Sequence, residues 1–257
     1  FVNPDDRGQF TGQWYVRTKK TAVISGMGVD LVRYGHHPSV EKVAPSFFMA
    51  ARLLKAKGVR EYADAARIVR VKCPNANFRL AGGLDANPSS VGQPELDQWR
   101  REGALEYLGQ LQDVRPAYAD CSVFILPSYY REGTPQVNLE AMATGRPIIT
   151  TDAPGCRETV LLAEENAFER QAGDATPPQG VMSRQAMHEW ARTRGLKIGV
   201  NGILVPPKNV EALVAAMKFF IDNPEQIDVM GRASRRYAED RYDVHKVNAA
   251  MLEAMEL

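Results

Sequence analysis

The sequence predicts an α/β protein, a Rossmann-like, mostly parallel sheet with helices on both faces. Three observations carry this. Short runs rich in β-branched and aromatic residues alternate with longer helical stretches. The short runs are continuously apolar rather than alternating, as in strands buried on both faces. Gly, Pro or Asn bounds most of them, which stops each run at strand length.

In chain order, strands are expected over residues 21–25, 46–50, 77–81, 122–126 and 147–151, with 104–108 and 202–205 as further candidates. Helices are expected over 59–72, 95–102, 115–120, 135–144, 210–223, 225–241 and 244–255, where apolar residues recur at helical spacing. Residues 161–200 break this rhythm. They are polar and punctuated by Gly173, Pro177, Pro178 and Gly180, with a helical pattern returning over 183–194. Structureless loops beyond about 12–15 residues are uncommon inside a domain, so this stretch reads as either a functional insertion or a mobile decoration.

Composition excludes several function classes. The 257 residues carry 32 Lys and Arg against 31 Asp and Glu, a formal charge of +1, and no basic block that would draw nucleic acid. No apolar run approaches the ~18–20 residues of a membrane helix. Cys73, Cys121 and Cys156 are odd in number, widely spaced and lack a CxxC pair, which argues against a disulfide framework or a zinc site and for a cytoplasmic setting. The chain begins with Phe1 rather than Met, so it is expected to be a piece of a longer protein.

The stretch 126–151, LPSYYREGTPQVNLEAMATGRPIITT, is the most informative. Thr134 reads as a helix N-cap, Pro135 as the first helical residue and Gly145 as the C′ residue. A helix so specified follows a strand, which puts its N-terminus at the carboxyl edge of the sheet, where open α/β folds bind ligands. Backbone amides near Gly133, Thr134, Gln136 and Val137, with roughly +0.5 of dipole charge, would make that turn an anion site for a phosphate.

Glu132 sits just ahead of this helix and Glu140 on it, ~7.5 Å along the axis from Pro135. Beside a diphosphate their natural partners are hydroxyls: those of a sugar for Glu132, the vicinal pair of a ribose for Glu140. The plain alternative is that Glu132 only offsets the helix dipole and Glu140 is solvated. Glu140 lies among Val137, Leu139, Ala141, Met142 and Ala143, where a carboxylate needs partners to offset its desolvation.

Arg52 and Lys57 follow the apolar run 46–50 and could face the same diphosphate, stabilising charge on a leaving oxygen. Two cations after a strand are, taken alone, more often solvated surface. Gly82 and Gly83 would let backbone approach a ligand, or simply turn the chain. There is no GxGxxG fingerprint, no GxxxxGK[ST] loop and no GxSxG elbow around Ser128, and His36, His37, His188 and His245 have no metal-ligand spacing.

Taken in order, GMGVDLVRY (26–34), ARLLKAKG (51–58), FRLAGG (78–83), EYLGQLQDV (106–114), the 126–151 stretch, PGCRETV (154–160) and NGILVPP (201–207) resemble glycosyltransferase family 4, the retaining enzymes of the two-domain GT-B fold, and specifically its C-terminal donor domain. PSYYREG and PGCRETV look most like the subgroup that builds bacterial capsule, O-antigen and lipid-linked glycans. The resemblance implies a UDP-sugar donor, retention at the anomeric carbon, no metal and no other cofactor. It places the donor-phosphate cations on Arg52 and Lys57, the E-x7-E glutamates on Glu132 and Glu140, and sugar and phosphate contacts on the backbone of Gly133, Thr134 and Pro135, with Gly82 near the donor. It further implies a hexose or N-acetylhexosamine passed to a saccharide or lipid-linked acceptor, held by an N-terminal domain absent from this chain, and peripheral contact with the cytoplasmic face of the inner membrane. On this reading residues 1–257 are one nucleotide-sugar-binding domain, with 1–20 a residual linker and 161–200 an insertion where the family runs directly on. Gln136 departs from the subgroup, which often has a basic residue there. Rival readings are a nucleotide-sugar epimerase or hydrolase of GT-B architecture and a non-catalytic nucleotide-binding module.

Overall fold

The computed structural model describes residues 1–13, 15–38, 44–162 and 182–255. Among them the elements run α1 (Pro4–Gly12), β1 (Ser46–Ala50), α2 (Val59–Lys72), β2 (Asn77–Ala81), α3 (Gln93–Arg101), β3 (Glu106–Tyr107), α4 (Arg115–Asp120), β4 (Val123–Leu126), α5 (Gln136–Ala143) and β5 (Ile148–Thr151). After β5 come α6 (Arg184–Arg192), β6 (Lys197–Ile198), β7 (Gly202–Val205), α7 (Val210–Asp222), α8 (Glu225–Arg241) and α9 (Val244–Ala254). The sheet order is β3-β2-β1-β4-β5-β7-β6, parallel except for β6 against β7.

This order follows from burial. Phe47, Phe48, Met49, Val123, Phe124, Ile125, Ile148 and Ile149 have no exposed surface, because helices cover the sheet on both sides. The chain winds outward from β1 through β2 to β3, returns to β4 and then winds the other way. Right-handed crossovers in opposite directions place helices on opposite faces. Accordingly α2 packs with α7, and α5 with α8. The reversal lies between β1 and β4, so the crevice beyond their carboxyl ends is the topological switch point.

One expectation needs correction, and two segments gain detail. Residues 21–25 form no strand: they run extended, but their ladder goes no further than Phe1, whose carbonyl accepts from Ile24 N–H (2.8 Å) and whose amino group donates to the Ala22 carbonyl (3.0 Å), too short to make a sheet edge. Residues 1–20, expected as a residual linker, include the capped helix α1. Asn3 Oδ1 accepts from Asp6 N–H (2.7 Å), Pro4 opens the helix, and Asp5 and Asp6 lie in its first turn, where the dipole favours them. The stretch 161–200 falls partly outside the described residues, at 163–181, but its far end joins the fold. Ser183 caps α6, Trp190 packs on Phe219 with ring centroids 4.8 Å apart, and β6 extends the sheet edge with Ile198 opposite Ile203. Among the described residues no helix is long and apolar enough to cross a membrane.

Candidate functional site

Four residues that the sequence singles out lie on the segments that follow β1 and β4, and of these the structure brings Lys57 and Glu132 into contact, while Arg52 meets Asp85 and Glu140 meets Tyr118. Arg52 leaves the end of β1, Lys57 follows one turn later, Glu132 lies in the loop after β4, and Glu140 is on α5. Their geometry differs in detail from expectation.

The helix starts at Gln136, not Pro135, and its N-cap is Pro135 without a side-chain bond. Thr134 does not cap it, because its hydroxyl donates to the Val2 carbonyl (3.1 Å). The first amides to bond back along α5 are those of Asn138 and Leu139, both to the Pro135 carbonyl (3.0 and 3.4 Å). The amides ahead of them are therefore not consumed by the helix ladder, which is the condition for an anion site. Gln136 turns its side chain away to the Gly28 carbonyl (3.0 Å).

Lys57 and Glu132 meet each other. Lys57 Nζ lies 2.5 Å from Glu132 Oε1, with side chains only 18% and 10% exposed. Ser128 Oγ donates to the same oxygen (2.8 Å), so this serine, which lacks a nucleophile elbow, orients the carboxylate. Tyr130, half-exposed beside this pair, lies under the ammonium at 5.2 Å. Arg52 is exposed and paired with Asp85 across the ends of β1 and β2 (2.9 Å), and its guanidinium holds the Asp85 carboxyl below the usual range.

Gly82 has a reason within the chain itself. A Cβ there would fall 2.1 Å from the Ala51 carbonyl, and its own carbonyl accepts the Tyr107 hydroxyl (2.7 Å). Its neighbour Gly83 likewise faces Gln110. These glycines keep β1 and β2 close at their carboxyl ends, which shapes the crevice wall.

The turn from Glu132 to Thr134 is clasped from outside. Asn3, with no exposed surface, donates from Nδ2 to the carbonyls of Glu132 (3.3 Å) and Gly133 (3.1 Å). Arg131 pairs with Asp6 (2.6 Å), and an ionic chain runs from Asp5 through Arg157 and Asp152 to Lys197 of β6. These partners lie far apart in sequence, and only the N-P-D-D start of α1 was there to hint at them.

Glu140 is half-buried. Desolvation raises its carboxyl above the ordinary 4.5, outweighing hydrogen bonds from Tyr34 and Tyr118 that favour the ionised form. A carboxyl held above its ordinary range stabilises the fold at low pH and loses that contribution as pH rises through its folded value. Glu140→Gln is therefore expected to raise Tm at pH 7, by about 2–4 °C for each kcal/mol relieved, with the gain vanishing near pH 4. Thermal melts at both pH values check this, and a variant less stable at pH 7 would refute it.

Among the described residues no three His, Cys, Asp or Glu side chains are grouped to hold a metal ion.

Comparison with known proteins agrees with this architecture. The family model for glycosyl transferases group 1 matches residues 44–176, more than half of the chain. The N,N'-diacetylbacillosaminyl-diphospho-undecaprenol alpha-1,3-N-acetylgalactosaminyltransferase of Campylobacter jejuni is 33% identical over 181 residues, covering 65% of this chain and 46% of that protein. The capsular polysaccharide biosynthesis glycosyltransferase CapM of Staphylococcus aureus is 28% identical over 48% of this chain and 32% of its own length. The chain thus spans about half or less of the curated relatives it matches. Among solved structures, Anabaena HepE in complex with UDP superposes with a TM-score of 0.73 at 20% identity, covering 99% of this chain and 62% of HepE.

Proposed function

The chain belongs to the glycosyl transferases group 1 family, of GT-B architecture, and from that premise we propose that it is the donor-binding domain of a retaining glycosyltransferase that takes a sugar from a UDP-sugar. The acceptor on this reading is a lipid-linked saccharide of bacterial polysaccharide assembly, met at the cytoplasmic face of the membrane through a separate acceptor domain. The named activities of the Campylobacter and Staphylococcus relatives support the pathway class, and the UDP complex of HepE supports the donor.

The observation that carries the proposal is the Lys57–Glu132 pair at the switch point, four residues ahead of the amide-rich start of α5, with Glu140 one turn further along that helix. A diphosphate at the α5 N-terminus would accept from those amides and draw Lys57 and Arg52 toward it. Departure of UDP leaves negative charge on the β-phosphate, and fixed cations and amides stabilise that charge as it develops. Glu132, released from Lys57, would accept from hydroxyls of the donor sugar. Glu140, deeper along α5, would accept from the ribose. Retention and independence of a metal or cofactor come from the family resemblance.

Isothermal titration of this chain with UDP, GDP, ADP and NAD tests the reading. UDP is expected to bind best, and Glu140→Ala to weaken it by roughly 1.5–3 kcal/mol, the worth of hydrogen bonds to a charged group. Absence of any uridine preference would sink the donor assignment.

A further inference from the structure

We propose that Tyr118 is a positioning residue for Glu140, and that its phenol sets how strongly the site prefers ribose over deoxyribose in the nucleotide. The proposal rests on the reading of Glu140 as the ribose acceptor and names what makes it selective.

Tyr118 comes from α4, on a different element from Glu140. Its side chain has no exposed surface and sits in an aromatic cage, edge-on to Phe48 (5.6 Å), Phe124 (5.3 Å) and Tyr34 (6.3 Å). For packing alone a phenylalanine would serve, since the cage is apolar and the ring fills it. The hydroxyl reaches beyond the cage, to 3.0 Å from Glu140 Oε2 and 3.3 Å from the Val137 carbonyl. It has one hydrogen, and the shorter, charged acceptor takes it. Burial and the neighbouring carboxylate push the phenol well above its usual range, so it stays a donor at every physiological pH.

Glu140 needs such an anchor. Its backbone is fixed by α5, between Leu139 and Ala141, which have no exposed surface, but three side-chain torsions would otherwise leave the carboxylate free to turn. A phenol from a rigid cage fixes one oxygen and so fixes the plane of the carboxylate. Tyr34, half-buried, is a second donor from another segment. A carboxylate offers about four lone-pair sites, and two phenols use at most two, which leaves acceptors in fixed directions for a vicinal diol. With acceptors fixed in advance, a ligand that supplies both hydroxyls gains the full pair of bonds, and one lacking them leaves a partly buried carboxylate unsatisfied.

The test is a comparison of UDP with 2′,3′-dideoxy-UDP by titration against the wild-type chain and Tyr118→Phe. Wild type is expected to favour UDP at least 10-fold. Tyr118→Phe, which fills the same cage, is expected to lose 3- to 10-fold of UDP affinity while binding the dideoxy analogue as before. In a Glu140→Gln background the same substitution should change UDP affinity less than 2-fold. Equal losses for both ligands would make Tyr118 a packing residue and overturn the proposal, as would undiminished discrimination in Tyr118→Phe. A wild type that binds both ligands alike would instead overturn the ribose assignment itself, a separate failure. Should Tyr118→Phe not fold, Tyr118→Leu is read with the same pair of ligands, and undiminished discrimination there overturns the proposal.

Discussion

Replacing Lys57 with methionine is expected to weaken UDP binding by roughly 10- to 100-fold, while uridine binding stays within about 2-fold. The asymmetry follows from where the ammonium sits. Lys57 lies at the switch point with only 18% of its side chain exposed, so it meets little solvent and its charge is poorly screened. In the free protein that charge is held by Glu132, whose Oε1 also takes the Ser128 hydroxyl. A diphosphate must therefore compete with a carboxylate for the lysine. This makes a second, opposite expectation: Glu132→Gln removes the competitor and a like charge, and should tighten UDP by roughly 3- to 10-fold. A UDP-sugar should not share that gain, because the same substitution weakens the contact to sugar hydroxyls. Titration of both variants with uridine, UDP and a UDP-hexose checks the set. If Lys57→Met loses uridine and UDP equally, the lysine supports the loop rather than the phosphate. If Glu132→Gln weakens UDP, the two residues cooperate on the nucleotide instead of competing.

What the sequence made legible divides along the range of the interaction. Helices α2 and α4 begin and end where their local patterns predict, because caps, prolines and apolar spacing are encoded within a few residues. Gly145, with φ of 83°, is likewise the left-handed stop expected of it. Local rules also misled. The TPQ sequence looks like a capped helix start, but tertiary contact with Val2 claims the Thr134 hydroxyl. Residues 21–25 have strand composition, yet composition cannot supply a neighbour. Helix α1 has a local start signal in Asn3-Pro4-Asp5-Asp6, but no apolar stripe follows it to mark a helix. The site was legible as a list of residues and not as a set of pairs. Lys57 and Glu132 lie 75 positions apart, Tyr118 and Glu140 lie 22 apart, and Asn3 reaches the Glu132 carbonyl across 129. Such pairings are fixed by sheet order, which a single sequence indicates only in outline.

The largest structural effect is expected at Gly155, in the loop after β5. Its φ is 82°, in the left-handed region, and a Cβ there would sit 2.5 Å from the carbonyl oxygens of both Glu132 and Gly133. Those oxygens are backbone, and both accept from Asn3 Nδ2, so neither can yield without moving the turn or breaking these bonds. Gly155→Ala should therefore cost about 3 kcal/mol, from roughly 1–2 for the left-handed alanine and 1–3 for the overlap. At about 2–4 °C per kcal/mol, Tm falls by some 6–12 °C. Gly103 supplies the control, since its φ is also positive, at 65°, but nothing lies within 4 Å of its Cβ position. Gly103→Ala carries only the conformational cost and should leave UDP binding unchanged. Gly155→Ala, assayed well below its melting point, should also bind UDP more weakly, because the turn it displaces carries Glu132 and leads into the amides of α5. Comparable Tm losses in the two variants, with UDP binding intact in both, would mean that the turn tolerates the shift and that the site does not depend on its packing against Gly155.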